Sequence, residues 1–329
     1  MEDKYTPPYE LTNEMLETVS EIMENLGKLS SVNELEKLPR LRRVSRIKSI
    51  HSSLAIENNT LSVQQVTNVI NGKRVLAPQK DIEEVRNAFN AYEKLSEINP
   101  YSIDDLLKIH DIMMNGLVKE SGHLRSGQVG VYNQDGKVVH LAPPPEFVPQ
   151  QLEELFDWVK NSNVNMLIKS SIFHYEFEFI HPFNDGNGRT GRLWQTVLLA
   201  SWKPIFAWIP IESIIKDNQE NYYNAITLST SQGKSNIFIE FMLDVINKAI
   251  KDIIFDTTSH YNHINNQIAD LMKVIESYPQ SASELMEKLN LKSRQGFRKN
   301  YIAPALDAGL IKMTEPDKPT SKNQRYFKL

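Results

Sequence analysis

Apolar residues recur every three or four positions along most of this chain. Leu41, Val44, Ile47, Ile50 and Leu54 form one such stripe, and Ile82, Val85, Phe89, Tyr92 and Leu95 form another. This is the spacing of helices that bury a single face. Polar signals mark where helices should begin: Ser62-Val-Gln-Gln65 is an S-x-x-Q capping box, and Ser102-Ile-Asp-Asp105 offers an N-cap followed by an acidic first turn. The helical period breaks at 127–145, where Val129, Val131 and the pair Val138, Val139 flank Asn133-Gln-Asp135-Gly136, a turn signal between two β-prone runs. A β-hairpin is predicted there. The stiff Pro143-Pro144-Pro145 run should end it, and a helix should resume at about Pro149.

Beyond residue 260 the pattern changes. Ile268, Leu271, Met272 and Ile275 suggest one helix, Ser281-Ala-Ser-Glu284 begins a second through about Leu289, and 293–308 makes a third. Leu310, Ile311 and 326–329 then read as two strands around a polar loop, the outline of a winged helix-turn-helix. The polar segment 252–263 reads as the linker before it, and no internal repeat is evident.

Composition narrows the class only modestly. The 329 residues are 40% hydrophobic and 24% charged, ordinary for a soluble globular protein of two or three domains. There is no cysteine, which excludes disulfides and thiolate metal sites. The first residues lack an apolar signal region, and the most apolar stretch, around 196–215, is interrupted by Lys203, Pro204 and Pro210. The expectation is a cytoplasmic protein without a membrane span. The net charge of −4 is uneven: from Tyr261 onward eleven Lys/Arg face seven Asp/Glu, so the tail carries +4 and the remainder −8. A basic tail is compatible with a DNA- or RNA-facing module, and solvated surface charge gives the same count; a winged helix can also contact protein. The cluster Arg40, Arg42, Arg43, Arg46 and Lys48 reads as a solvated helix face rather than a nucleic-acid patch.

Chemistry concentrates in one run, His181-Pro-Phe-Asn-Asp-Gly-Asn-Gly-Arg-Thr-Gly-Arg192. If a helix starts near Asn187, Gly186 and Gly188 free consecutive backbone N–H groups, and the helix N-terminus adds its positive dipole end. The turn is then an anion nest. Asn187 could add its side-chain amide, and Asp185 at the lip could hold Mg²⁺ bridging phosphate oxygens. Arg189 and Arg192, three apart, supply forks suited to outer phosphates. His181 has the intrinsic pKa of a general base near neutrality, and Phe183 should anchor the loop. Gly186, Gly188 and Gly191 also satisfy the dinucleotide pattern G-x-G-x-x-G, but no Asp or Glu occurs between Arg192 and Glu212 to hold a ribose. Tyr175, Phe177 and Phe179 alternate like a strand, while Ile168, Ile172, Tyr175 and Phe179 fit helical spacing.

The run matches the whole H-x-F-x-[D/E]-G-N-G-R-x-x-R signature, and on it the chain resembles the Fic family of protein adenylyltransferases. The resemblance implies a mainly α fold with a β-hairpin flap, plus the C-terminal winged helix-turn-helix. It implies an N-terminal helical region over 1–99, a Fic core over 100–255 and the winged helix over 262–329. It implies that His181 is the base, Asp185 the Mg²⁺ ligand, and Gly186, Asn187 and Gly188 the phosphate turn. Arg189 and Arg192 would contact the triphosphate. AMP would pass from ATP to a Ser, Thr or Tyr hydroxyl of a protein, which could be the chain itself. Gly122-His-Leu-Arg125 and the hairpin residues Val129, Gly130, Val131 and Tyr132 resemble the flap that pins the target as an added strand. Tyr222 and Tyr223 resemble the pair that helps form the nucleobase pocket, although some relatives have Asn where this chain has Thr230.

Upstream, Ser53-Leu-Ala-Ile-Glu57-Asn58 fits the family's inhibitory pattern [S/T]-x-x-x-E-[G/N]. Ser53 and Glu57 lie one helical turn apart on one face, and the resemblance implies that Glu57 pairs with Arg192 and blocks a productive ATP pose. In some relatives the same glutamate is associated with removing AMP. The alternative class is a nucleotide-sensing regulator whose winged helix binds DNA. A second copy of the chain is a further candidate partner, as a homodimer.

Overall fold

The computed structural model describes residues 5–31, 39–132, 138–307 and 309–329, and the chain divides into two compact units between Ile253 and Ile254. In the first unit α1 (Asn13–Ser31), α2 (Pro39–Ile56), α3 (Val63–Ile70), α4 (Gln79–Glu93) and α5 (Ile103–Met114) precede a short hairpin, β1 (Gly130–Tyr132) and β2 (Val138–Leu141). Then follow α6 (Val148–Asn161), α7 (Met166–Ile180), α8 (Asn187–Trp202), a 3₁₀ turn at Pro204–Trp208, α9 (Ile211–Asp217), α10 (Gln219–Gln232) and α11 (Asn236–Val274), whose residues from Ile254 onward count with the second unit.

The predicted helix starts are present. In α3, Ser62 Oγ accepts from the Gln65 N–H at 3.3 Å while Gln65 Oε1 accepts from the Ser62 N–H at 3.0 Å. In α5, Ser102 Oγ accepts from the Asp105 N–H at 3.2 Å. Each such cap satisfies donors that the helix itself leaves open, worth about 1 kcal/mol.

At the centre, α7 packs against α8. Thirteen of the fifteen residues of α7 are buried, and twelve of the sixteen of α8. These helices are enclosed all round, which the apolar run Phe173, Phe177, Leu193, Trp194 and Leu198 permits at about 1.5–3 kcal/mol per large side chain. Gly191 lets them approach, since a Cβ there would meet Glu178 Oε1 at 2.9 Å and Phe177 Cδ1 at 3.0 Å. The alternation at Tyr175, Phe177 and Phe179 is therefore part of a helix, and the G-x-G-x-x-G pattern follows no strand.

Around this pair α2 packs on α9 and α4 on α5. Ile47, Ile50 and Leu54 of α2 are buried as expected, but Val44 is 53% exposed. The solvated basic face needs a larger correction, because Arg46 is only 7% exposed. Its guanidinium lies over the rings of Tyr92 and Trp208, at 5.2 and 4.7 Å, where stacking on aromatic faces offsets part of the lost hydration. The hairpin is present, with Gly130 opposite Leu141 and an irregularity between Val131 and Tyr132. Its predicted turn, Asn133 to Gly136, lies outside the described residues, as do the side chains of Val131 and Tyr132.

The segment 252–263 is helical, part of α11, rather than an irregular linker. Polarity suggested a break, but the stretch contains neither Gly nor Pro, and nothing in its backbone chemistry interrupts a helix. The second unit holds β3 (Gln280–Ser281), α12 (Ala282–Lys288), α13 (Arg294–Phe297), a π-helical turn at Arg298–Ile302, α14 (Ala303–Asp307), β4 (Ile311–Met313) and β5 (Arg325–Lys328). Its core gathers Leu271, Leu285, Phe297, Ile302, Ala305 and Tyr326. The strands form a three-stranded antiparallel sheet in the order β3-β5-β4, one strand more than the hydrophobic pattern showed. Two-residue β3 is too short to leave a period.

Candidate active site

The run 181–192 is a sharp loop between two buried helices. His181 ends α7 in the left-handed conformation, φ 50° and ψ 61°, its N–H donating to Phe177 O at 2.9 Å. A non-glycine residue there is strained, and such strain persists only where the surroundings fix it. The fixing residue is Arg125, 3% exposed. Its Nε donates to His181 O at 2.7 Å and its Nη2 to Ile180 O at 3.2 Å, while Nη1 reaches Gly127 O at 2.9 Å. One buried cation thus caps the C-terminal carbonyls of α7 and ties them to the start of the hairpin segment.

Gly186 is the N-cap of α8 at φ 86°, and a Cβ there would meet Met114 Sδ at 2.5 Å, so both its conformation and its neighbours require glycine. Asn187 sits differently from the expectation. Its side chain accepts from the Phe183 N–H at 2.9 Å and donates to Phe183 O at 2.8 Å, and the residue is 2% exposed. Both ends of its amide brace the loop and neither faces a phosphate.

Arg189 and Arg192 also part company. Arg189 is 4% exposed and donates to Glu84 Oε1 of α4 and to Asp185 Oδ1, each at 3.1 Å. It orients the carboxylate rather than lying open for outer phosphates. Arg192 donates through Nε to Ser53 Oγ at 3.1 Å, and through Nη2 to Ser53 O at 3.0 Å and Glu57 Oε1 at 2.8 Å. Burial, the largest single effect, would lower the Arg192 pKa, but Glu57 together with Tyr222 and Tyr223 moves it above the ordinary value. The contact implied by the upstream pattern is therefore present. Asn58 stands at φ 66°, two residues past the end of α2, which explains why Asn or Gly suits this position: both tolerate the left-handed turn that follows the helix. Glu57 also crowds the cradle, since its Oε1 would lie 2.5 Å from a Cβ on Gly188.

Tyr222 is 2% exposed, packed among His174, Phe238 and Phe241, with its hydroxyl 3.1 Å from His174 Nε2. It belongs to the core instead of lining an open base pocket. Tyr223 is half-buried, its ring edge-on to Tyr222. Thr230 Oγ1 lies 3.2 Å from the Tyr175 hydroxyl. Buried Glu178 nearby has its pKa pushed up to about 7 by desolvation.

Sequence reasoning missed His110. Its ring stacks on Phe183 at 3.6 Å between centroids and 5° between planes. Nδ1 lies 2.9 Å from the Gly122 N–H and Nε2 lies 2.9 Å from Asp185 O. An acceptor at Nδ1 leaves the proton on Nε2, which donates to the carbonyl, and burial lowers the pKa to about 4, so the ring is neutral. His110 joins the loop carrying Asp185 to the segment leading into the hairpin. Only its position on the apolar face of α5 could have signalled it.

Asp185 itself is half-exposed, with Oδ1 accepting from the Gly186 N–H at 2.6 Å. No group of three or more His, Asp or Glu side chains that could hold a metal exists among the described residues. One exposed carboxylate beside a phosphate cradle fits an ion such as Mg²⁺, which is commonly held by one or two carboxylates together with substrate phosphates.

A glycine turn opening a buried helix, with a histidine and a carboxylate in the loop before it, defines a helical protein suited to gripping a phosphate chain. Residues 100–199 match the Fic/DOC family, and residues 266–328 match the C-terminal domain of Fic-like proteins, described as filamentation induced by cAMP. A crystal structure of a Fic family protein from Desulfovibrio desulfuricans G20 is 45% identical, covering 99% of this chain and 98% of that one with a TM-score of 0.76. The chain belongs to the Fic family. It is also 27% identical over 263 residues to protein adenylyltransferase fic-1 of Caenorhabditis briggsae, covering 75% of this chain and 48% of that protein. With protein adenylyltransferase Fic of Nematostella vectensis it shares 28% identity over 221 residues, covering 64% and 49%. The chain thus spans about half the length of the curated relatives it matches. No described helix is long and apolar enough to cross a membrane.

Proposed function

We propose that this protein transfers AMP from ATP to a hydroxyl of a protein and is held back at rest by Glu57. The carrying observation is the 2.8 Å contact between Glu57 and Arg192 over the glycine cradle, in a chain whose relatives are named protein adenylyltransferases. Backbone N–H groups at the start of α8, with its positive dipole end, would hold the phosphates. His181 would take the proton of the target hydroxyl as its oxygen attacks the α-phosphorus. The bond from that phosphorus to the bridging oxygen then breaks, and pyrophosphate leaves. Asp185, oriented by Arg189, is the residue to hold Mg²⁺, which when bound would neutralise phosphate charge. The chemistry asks mainly for positioning and charge stabilisation. Arg192 could serve the terminal phosphate only after leaving Ser53 and Glu57.

The test is incubation with ATP labelled at the α- or the γ-phosphate. Label from the α position should enter protein, rise in Glu57→Gly, vanish in Glu57→Gly/His181→Ala and vanish on chelation of Mg²⁺. Transfer of the γ label, or none in any variant, would overturn the proposal. Glu57 keeps about a third of its side-chain surface exposed, which supports a second activity, removal of AMP by a water that it orients. Loss of label from pre-labelled protein with wild type but not with Glu57→Gly would demonstrate it.

A further inference from the structure

Apart from the candidate active site, a cavity of about 510 Å³ lies between α2, α4, α8 and the 3₁₀ turn. Its lining is mostly apolar, including Leu95, Val197, Ala200 and Trp208, and one wall carries Arg46. Arg46 is 7% exposed, yet its Nε is buried without an acceptor, and among the described residues it makes no ion pair or hydrogen bond. The carboxylates nearby make no hydrogen bond to it. Glu212 is taken up by Tyr92 and Ser49, at 2.6 and 2.9 Å, and Glu93 is exposed at the cavity's edge. Glu93 and Glu212 therefore act on this guanidinium only through space, and it lacks the hydrogen-bond acceptor that usually accompanies a buried charge.

We infer that this cavity is a binding site for a small monocarboxylic acid with a flat apolar body, its carboxylate on Arg46 and its body along Trp208. The guanidinium fork matches a carboxylate in shape and charge. Arg42 lies over the Trp208 ring at 5.2 Å but does not line the cavity; Arg46 as the lining cation, with Glu93 in the same wall, disfavours a dianion such as a phosphate ester, and the apolar wall disfavours a sugar. The volume suits a molecule of one or two rings.

Occupancy has a consequence for α2. The cavity is walled by α2 on one side and by α8 and the 3₁₀ turn on another, so an occupant binds the docked position of α2 and stabilises it. The same helix carries Ser53 and leads into Glu57, about seven and eleven residues from Arg46. The ligand therefore strengthens the hold on Arg192. This second part rests on the proposed brake; the binding site does not.

The probe is 4-(trifluoromethyl)benzoate, followed by fluorine NMR on the full chain, with 4-(trifluoromethyl)benzamide as the uncharged control. The acid should bind about tenfold or more tightly than the amide. Arg46→Gln should erase that preference, and Ala200→Leu, which fills the cavity from α8, should weaken both. Equal binding of acid and amide, no binding at all, or unchanged binding in Ala200→Leu would overturn the site. The benzoate should also slow amide exchange in α2 and lower labelling from α-labelled ATP at least threefold in wild type, but not in Arg46→Gln. Binding that leaves labelling and α2 exchange unchanged would overturn the regulatory part alone.

Discussion

Replacing Glu57 by Ala tests the brake quantitatively. Arg192 is 2% exposed, whereas the Glu57 side chain is 32% exposed. The pair lies between a surface ion pair, worth about 0.2–1 kcal/mol, and a fully buried one, whose rupture costs roughly 3–5 kcal/mol. A middle value of about 2 kcal/mol corresponds to about a 30-fold gain in the fraction of molecules with Arg192 free. Labelling from α-labelled ATP should rise by that order in Glu57→Ala. Ser53→Ala removes the 3.1 Å bond to Arg192 Nε but not the backbone one, so about 1 kcal/mol, or fivefold, is expected. Because both side chains hold one guanidinium, the double variant should gain less than the product of the two. Glu57→Ala should also lower the urea midpoint, since it leaves a buried cation without its carboxylate. Labelling that changes less than about threefold in Glu57→Ala would refute the reasoning, as would a Ser53→Ala effect larger than that of Glu57→Ala.

Three further outcomes can be checked. Burial raises the folded pKa of Glu178 to about 7 from the ordinary 4.5, so the folded state binds the extra proton between those values, and this group's contribution to stability falls as pH rises from 4.5 to 7. Glu178→Gln should gain about 1–3 kcal/mol relative to wild type between pH 5 and pH 7 in urea titrations, and parallel pH profiles would sink the assignment. His110→Ala leaves Asp185 O and the Gly122 N–H without their partner, and should cost about 1–3 kcal/mol and lower turnover at saturating ATP in the Glu57→Ala background. Unchanged turnover would remove His110 from the positioning of the loop. Gly186→Ala places a Cβ against Met114 at φ 86° and should destabilise by more than about 1 kcal/mol, measured by thermal or urea unfolding, whereas a neutral effect would contradict the left-handed cap.

Much of the site was legible in the sequence because it is local. The glycines, Asp185 and His181 occupy one loop and one helix start, and two buried helices fix how those atoms face each other. The helix caps at Ser62 and Ser102 were legible for the same reason: each is closed within four residues. Partner choice was harder. Arg189 and Arg192 share a face of α8, but Glu84 takes the first and Glu57 the second, 105 and 135 positions away. Only the family pattern around Ser53 anticipated the latter. Asn187 resembled a phosphate contact because its amide has the right chemistry, yet Phe183 sits close enough to use both ends of it. Polarity misled at 252–263, where charge and amide side chains suggested a linker and a helix without breakers continued.

The sequence by itself determined the chemistry available and the helices that carry it, since propensity, capping and a contiguous motif act over a few residues. Tertiary structure decided what each group is free to do. It gave Arg192 to Glu57, turned Arg189 toward Asp185, buried Tyr222 in the core, set neutral His110 between two loops and left Arg46 without an acceptor. The reason is physical: a charge or amide inside a protein must find a partner, and which partner lies within 3 Å depends on how distant helices pack, which no local pattern records.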